Sequence, residues 1–214
     1  MSTKRIDLHV HTGCSYDSFM KVETIVKQAK RKGLDGVAIT DHDAFGCARA
    51  AMDGGYGISI IPGQEIKTQY GDLLGLFLSR KVASKDFLPA VQEIKAQQGI
   101  VVLPHPFKGN RMRLPEDMLE HVDAIEAINS RNSEEQNQRA FKLAEEKGLP
   151  VVAGSDAHSY FEIGNAYTVV EGENLEDMKK SILAKGSVAR GRCSNFYLSH
   201  GISLLNEKLK RLLR

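Results

Sequence analysis

The chain has 214 residues, with 42% apolar and 26% charged positions, which is ample for a packed core and excludes disorder as its main theme. Lys and Arg number 29 against 27 Asp and Glu, a formal net charge of +2, so no whole-molecule field draws it to nucleic acid or membrane, and any anion site must be local. No stretch approaches 18 consecutive apolar residues, and the first residues lead into a strand-like segment, so the chain reads as cytoplasmic.

Taken in order, the strand signals fall at 6–10, 36–40, 58–61, 73–78, 100–103, 124–128 and 151–153. Most are short, nearly continuous apolar runs with β-branched residues, as strands covered on both faces require. Amphipathic helices separate them. Val22, Ile25, Val26 and Ala29 recur at helical spacing before a stop at Gly33, and Phe87, Val91 and Ile94 do so behind a Ser84 cap. A third helix runs from about Ser133 to Lys147 and ends at Gly148. Seven parallel strands at about 30 residues per unit predict a sheet closed or wound with helices outside. Beyond them come a strand at 166–170, a helix over about 174–185, and a basic last segment. Its Ile202, Leu205, Leu209, Leu212 and Leu213 share one face, predicted to pack on the barrel or a second subunit. The three cysteines, Cys14, Cys47 and Cys193, are odd in number and widely spaced, which predicts buried free thiols.

The ionisable residues are placed unevenly. Of seven histidines, His9, His11, His42, His105 and His158 stand at or just past the carboxyl end of a predicted strand. In α/β barrels those ends form the active face, where residues distant in sequence converge. His9 and His11 point to one side of an extended chain and can grip one ion, with Asp7 on that side as a partner for an imidazole N–H. Thr-Asp-His-Asp at 40–43 places three ionisable groups in a row, including Asp41 and His42. Glu65 follows the third strand, His105 sits between two prolines, and Asp156 and His158 end the seventh strand two residues apart. Clustered carboxylates repel and buried imidazoles lose hydration unless a cation holds them. His and carboxylate ligands without thiolates suit Mn, Fe or Zn. His121, His200, Asp53 and Asp123 lie off this face and read as surface or capping residues.

Asp-Leu-His-Val-His at 7–11, Thr-Asp-His-Asp at 40–43, Pro-Gly-Gln-Glu at 62–65, Pro-His-Pro at 104–106 and Gly-Ser-Asp-Ala-His at 154–158 together resemble the PHP (polymerase and histidinol phosphatase) family. The resemblance covers about residues 4–170 and implies a distorted (β/α)7 TIM-like barrel with a metal cluster at the C-terminal face of the strands. It implies a single PHP domain over 1–214, residues 171–214 forming a C-terminal strand and helices. It also implies two or three divalent metal ions (Mn, Zn or Fe). The first would be held by His9, His11, Glu65 and Asp156, with Glu65 bridging to a second at His105. The third would take Asp17, His42 and His158. Many members carry a further histidine after the bridging Glu, and Asp72 stands there instead, as a ligand or a turn residue.

The activity implied is phosphate-ester hydrolysis by a metal-activated hydroxide. The chemical alternative is an amide or deaminase-type hydrolase, and the other class is a non-catalytic PHP domain, which predicts ligand loss. Lys108, Arg111 and Arg113, just after His105, supply a cationic clamp that favours a phosphate. The substrate stays open among a sugar phosphate, histidinol phosphate, a nucleotide and a short oligonucleotide.

Overall fold

The computed structural model describes residues 2–109, 112 and 114–213, apart from the Phe196 side chain. Its first half runs β1 (Thr3–Val10), α1 (Val22–Arg31), β2 (Gly36–Ile39), α2 (Gly46–Met52), β3 (Ser59–Thr68), β4 (Gly71–Leu76), α3 (Phe87–Lys95) and β5 (Ile100–Leu103). A 3-10 turn (Glu116–His121) leads to β6 (Ala124–Asn129), α4 (Glu134–Lys147), β7 (Val151–Gly154), β8 (Ala166–Glu171), α5 (Leu175–Leu183), β9 (Val188–Gly191) and α6 (Phe196–Leu212).

The nine strands form one sheet in the order β7-β6-β5-β4-β3-β2-β1-β8-β9. It curls until β7 comes back to β1: the His11 N–H donates to the Ala157 carbonyl at 3.0 Å and the Ala157 N–H to the His9 carbonyl at 3.3 Å, bringing the chain after β7 against the end of β1. The packing shows the same closure. One apolar cluster draws Ile6, Leu8, Ala38, Ile61, Leu74, Leu76, Ile100, Val102, Ala124 and Val152 from each of the first seven strands, which requires a barrel interior. A second joins these strands to the helices through residues such as Ile25, Val37, Ile39, Phe87 and Ile94. Each such Leu, Ile or Phe contributes about 1.5–3 kcal/mol by burial. The α/β barrel predicted from the sequence is therefore observed.

The seven strands are not all parallel, and β4 is the correction. It pairs antiparallel with both β3 and β5, since β3 runs on to Thr68 and turns at Gln69 and Tyr70 straight back into β4. A two-residue connection reverses a strand and cannot make the long crossover that parallel pairing needs. β8 is also antiparallel to its neighbours β1 and β9.

Helix ends follow local chemistry. In α4 the Ser133 hydroxyl accepts from the Gln136 N–H and the Gln136 side chain answers the Ser133 N–H, while Gly148 closes the helix at φ 61°. Ser84 does not cap α3: Asp86 occupies that position, and the Ser84 hydroxyl accepts the Asp86 N–H.

Two further expectations are overturned. Cys14 and Cys47 form a disulfide, because the loop after β1 and the start of α2 meet above the strand ends; Cys193 alone is a free thiol. In α6 the expected apolar contact face lies on the surface, with Leu205, Leu209, Leu212 and Leu213 exposed and Leu212 at 83%. What α6 presents to the barrel is polar. Ser199 is buried, Asn206 Nδ2 donates to the Asp17 carbonyl at 3.2 Å, and the Lys210 ammonium donates to the Gly13 carbonyl at 2.6 Å and to that of Ser15. Among the described residues no helix is long and apolar enough to cross a membrane.

Candidate metal centre

The parallel strands of the barrel end on one face, and the ionisable residues arrive there from five of them. His9 and His11 come from β1, His42 from the end of β2, Glu65 from within β3, and His105 and Asp156 from just past β5 and β7. Asp17, from the loop after β1, and His158 complete the set. All eight are buried except His42, which is nearly so.

Three groups of donor atoms converge closely enough to hold an ion: His11, Asp17, His42 and His158; His9, His11 and Asp156; and His9, Glu65 and His105. Glu65 is central. Its Oε2 lies 3.3 Å from Nε2 of both His9 and His11 and 3.0 Å from His42 Nδ1, while Oε1 lies 3.1 Å from His105 Nε2. Asp17 Oδ2 stands 2.9 Å from His158 Nε2 and 3.4 Å from His42 Nε2. The rings crowd, with His11 centred 4.2 Å from His158 and 4.5 Å from His42.

Whether these residues suit a cation can be tested on the buried atoms themselves. His11 Nε2, His158 Nε2 and Asp17 Oδ1 are buried and make no hydrogen bond of proper geometry among the described residues, although both imidazole nitrogens lie within 3.3 Å of carboxylates of the cluster. Unpaired buried polar atoms are costly, and a metal ligand is one of the few roles that explains three in one place. The charges agree. Burial, then the neighbouring imidazoles of His158 and His42, pushes the His11 pKa down to about 3, so that ring is neutral as ligation requires. Burial alone would raise Glu65, Asp156 and Asp17, but adjacent imidazoles outweigh it and hold all three well below the carboxylate range. Burial opposes charge on His9 and His42 too, yet the surrounding carboxylates pull both upward. The donor set fits a transition-metal cluster.

The supporting residues differ in part from expectation. Asp7 is no imidazole partner: it accepts the Ser155 N–H and hydroxyl at 2.8 and 2.6 Å and the Gly164 N–H at 2.8 Å, tying β1 to the loops after β7. Its burial, only partly offset by those bonds, raises its pKa to about 6. Asp41 accepts the Thr12 N–H and hydroxyl, both at 2.6 Å, and so fixes the loop leading to Asp17. The imidazole partner is Glu126, which sequence reasoning passed over: its Oε1 lies 2.9 Å from His9 Nδ1, and its Oε2 accepts the His105 N–H and the Asn129 amide, both at 2.9 Å. The signal was present, because a carboxylate in the middle of a strand buried on both faces needs a partner. Gly154 allows this approach, since a Cβ there would lie 2.4 Å from the His9 Cβ and 2.8 Å from Glu126 Oε1. His105 and Asp156 hold positive φ angles of 29° and 54°, the kind of strain that collects at functional sites.

A cleft of about 380 Å³ opens above the cluster, lined by Tyr16, Asp72, Pro106, Lys108, Met112 and Arg131 among others. Asp72 lines this cleft but joins none of the three donor groups. Lys108 Nζ lies 3.8 Å from Asp156 Oδ2. Arg111 and Arg113 lie outside the described residues. Arg131, not anticipated from the sequence, is a buried cation at the cleft: Nη1 is 2.7 Å from His158 Nδ1, and Nη2 donates to the Ser199 carbonyl at 2.7 Å and the Ser203 hydroxyl at 2.8 Å on α6.

Comparison with known proteins adds a family to this geometry. The PHP domain family matches residues 7–103 and the PHP-associated family residues 134–185. An uncharacterized protein of Methanocaldococcus jannaschii is 35% identical over 182 residues, covering 80% of this chain and 73% of its own. A protein of Acetivibrio thermocellus named "Probable phosphatase" is 27% identical over 225 residues, covering 86% and 92%. Among solved structures, a two-domain protein of Bacteroides vulgatus containing a predicted PHP-like metal-dependent phosphoesterase superposes with a TM-score of 0.78 at 20% identity. That match covers 89% of this chain and 65% of the other, a likeness of fold. With the barrel, the ordered motifs and the converging donors already in place, the chain belongs to the PHP domain family.

Proposed function

We propose that this chain is a metal-dependent hydrolase of phosphate esters, a single PHP domain acting on a small phosphorylated substrate such as a nucleotide, sugar phosphate or short oligonucleotide. The observation that carries the reading is the pairing of buried, converging histidine and carboxylate donors with two cations, Lys108 and Arg131, at the cleft beside them. The name of the Acetivibrio thermocellus relative supports it.

His9, His11, Glu65 and Asp156 would hold one ion, and Asp17, His42 and His158 another. When bound, Mn, Zn or Fe ions supply the charge that lowers the pKa of an attacking water and steadies the oxygens on phosphorus. Glu126 orients the His9 ring and Asp41 fixes the loop that carries Asp17. Arg131 uses Nη2 to grip α6, and Nη1 carries a second N–H for a phosphate oxygen. Lys108 adds a point charge at the cleft. Leu103, Pro104, Pro106, Met112 and Leu114 are the apolar residues among those that line the cleft.

An amide hydrolase with the same centre would have no use for two cations beside the ions, and a non-catalytic domain would have no reason to keep eight such donors together. The test is a screen of Mn-loaded protein against phosphorylated metabolites and 5′-phosphorylated oligonucleotides, run in ¹⁸O-water. The expected result is phosphate carrying one solvent oxygen, and a loss of about 10- to 100-fold in kcat/KM for Arg131→Ala, as removal of a charge-assisted hydrogen bond predicts. Hydrolysis of amides with no phosphate released would overturn the reading.

A further inference from the structure

The donor atoms are divided unequally among the three groups. The group of His11, Asp17, His42 and His158 has four residues, and the group of His9, His11 and Asp156 gains Glu65 Oε2 at 3.3 Å from each histidine. The group of His9, Glu65 and His105 has little of its own, because His9 Nε2 is the same atom that faces Glu65 Oε2 and, at 3.6 Å, Asp156 Oδ1. Only Glu65 Oε1 and His105 Nε2 are left to it. Transition-metal sites in proteins usually offer three or four side-chain ligands, so this position is short of donors.

A different cation stands beside it. The Lys108 N–H donates to the His105 carbonyl at 2.9 Å, a tight turn that folds the lysine back toward the ligand two prolines hold in place. Its Nζ reaches to 3.8 Å from Asp156 Oδ2, while Oδ1 of the same carboxylate faces His9 and His11. Asp156, Glu65 and Asp72 all lie within electrostatic reach of the ammonium. Asp72 lies opposite Lys67 in the β3–β4 pair and lines the same cleft, partly buried. About half of the Lys108 side chain is open to that cleft, so it can meet a substrate oxygen as well.

We propose that Lys108 is a built-in cation that stands in for the ion at His105, with Asp72 as its counter-charge, so that the chain binds two metal ions and not three. The proposal rests on the metal-dependent reading above. A lysine brings one charge where an ion would bring two, and three N–H donors in place of open coordination positions. The deficit in ligands and the presence of the ammonium are then two sides of one arrangement: Asp72 balances a lysine, and an imidazole at that place would complete an ion site.

Equilibrium dialysis against Mn(II) followed by elemental analysis tests this without reference to turnover. Wild-type protein and Lys108→Arg should each retain two ions per chain. Combined Lys108→Met and Asp72→His should retain three, and Lys108→Met alone should show an added weak site, filled only at millimolar Mn(II). Three ions in the wild type, or two in a double variant with wild-type circular dichroism, would overturn the proposal while leaving the phosphoesterase reading intact. No bound ion in any of them would remove that reading as well. Should the double variant fail to fold, the wild-type count and Lys108→Met still decide.

Discussion

The two sides of the donor cluster are built in opposite ways. Around Asp17, His42 and His158 the protein is closed: the Cys14–Cys47 disulfide, the Ser15 hydroxyl against His11 Nδ1 and the His42 N–H, and the α6 contacts to the carbonyls of Gly13, Ser15 and Asp17 all hold one loop in place. Around His105, itself more buried than His42, fewer ties are made: one imidazole and one shared carboxylate stand beside a half-exposed lysine. The strand ends of a barrel deliver donors on every side, and the loops decide which side becomes a rigid ion cage and which is left for a substrate. A tightly held side can fix an ion in the ground state, whereas a side with fewer ties can change its contacts as charge develops.

Variants can break or sharpen this contrast. The largest effect is expected at the residues both sides share. Asp156 faces His9 and His11 with one oxygen and Lys108 with the other, so Asp156→Ala should lower kcat/KM on the order of 10³-fold or more, with His9→Ala alike, through loss of several kcal/mol of metal-borne stabilisation. Both should keep the wild-type circular dichroism spectrum, because the apolar clusters beneath are untouched. Retained turnover would show that the donors are misassigned.

A smaller loss is expected from Glu126→Gln, which keeps the shape but removes the charge that orients His9. Metal affinity measured by chelator competition should fall about 10- to 100-fold, the usual cost of losing such a partner. Unchanged affinity would make Glu126 a packing residue only. The smallest effect on turnover belongs to Cys14→Ser, which touches the closed side alone. The cross-link spans 33 positions, so its loss should remove about 3 kcal/mol and lower Tm by roughly 6–12 °C. With metal bound, kcat should change less than for any of the three other variants; an equal Tm would mean that α6 and Ser15 already hold the loop.

Much of this site was legible in the sequence for a physical reason. Period-two spacing puts His9 and His11 on one side, and strand ends converge in a barrel, so residue type and position brought out seven of the residues gathered there, while Asp17, in a loop, came only from the family resemblance. Glu126 was legible and passed over, although a carboxylate amid Ala124, Ile125, Ala127 and Ile128 has no ordinary surface role. The reversed direction of β4 hung on a turn at Gln69 and Tyr70 with no strong turn signature beyond Gly71. Arg131, the disulfide and the polar face of α6 were not legible, because each depends on a contact made only when the barrel closes: Arg131 meets α6 across 68 positions, and Lys210 meets Gly13 across 197. The leucines of α6 misled for the same reason, since helical spacing shows that a face exists but not which face the barrel takes.

The central claim, a phosphoesterase run by two ions with Lys108 beside them, is met most directly by titrating chelator-stripped protein with Mn(II) while following phosphate release from the best substrate of the screen. The account predicts no release from the stripped protein and a rise that levels off at two equivalents per chain. Full activity before any metal is added, or a rise that continues to a third equivalent, would contradict it.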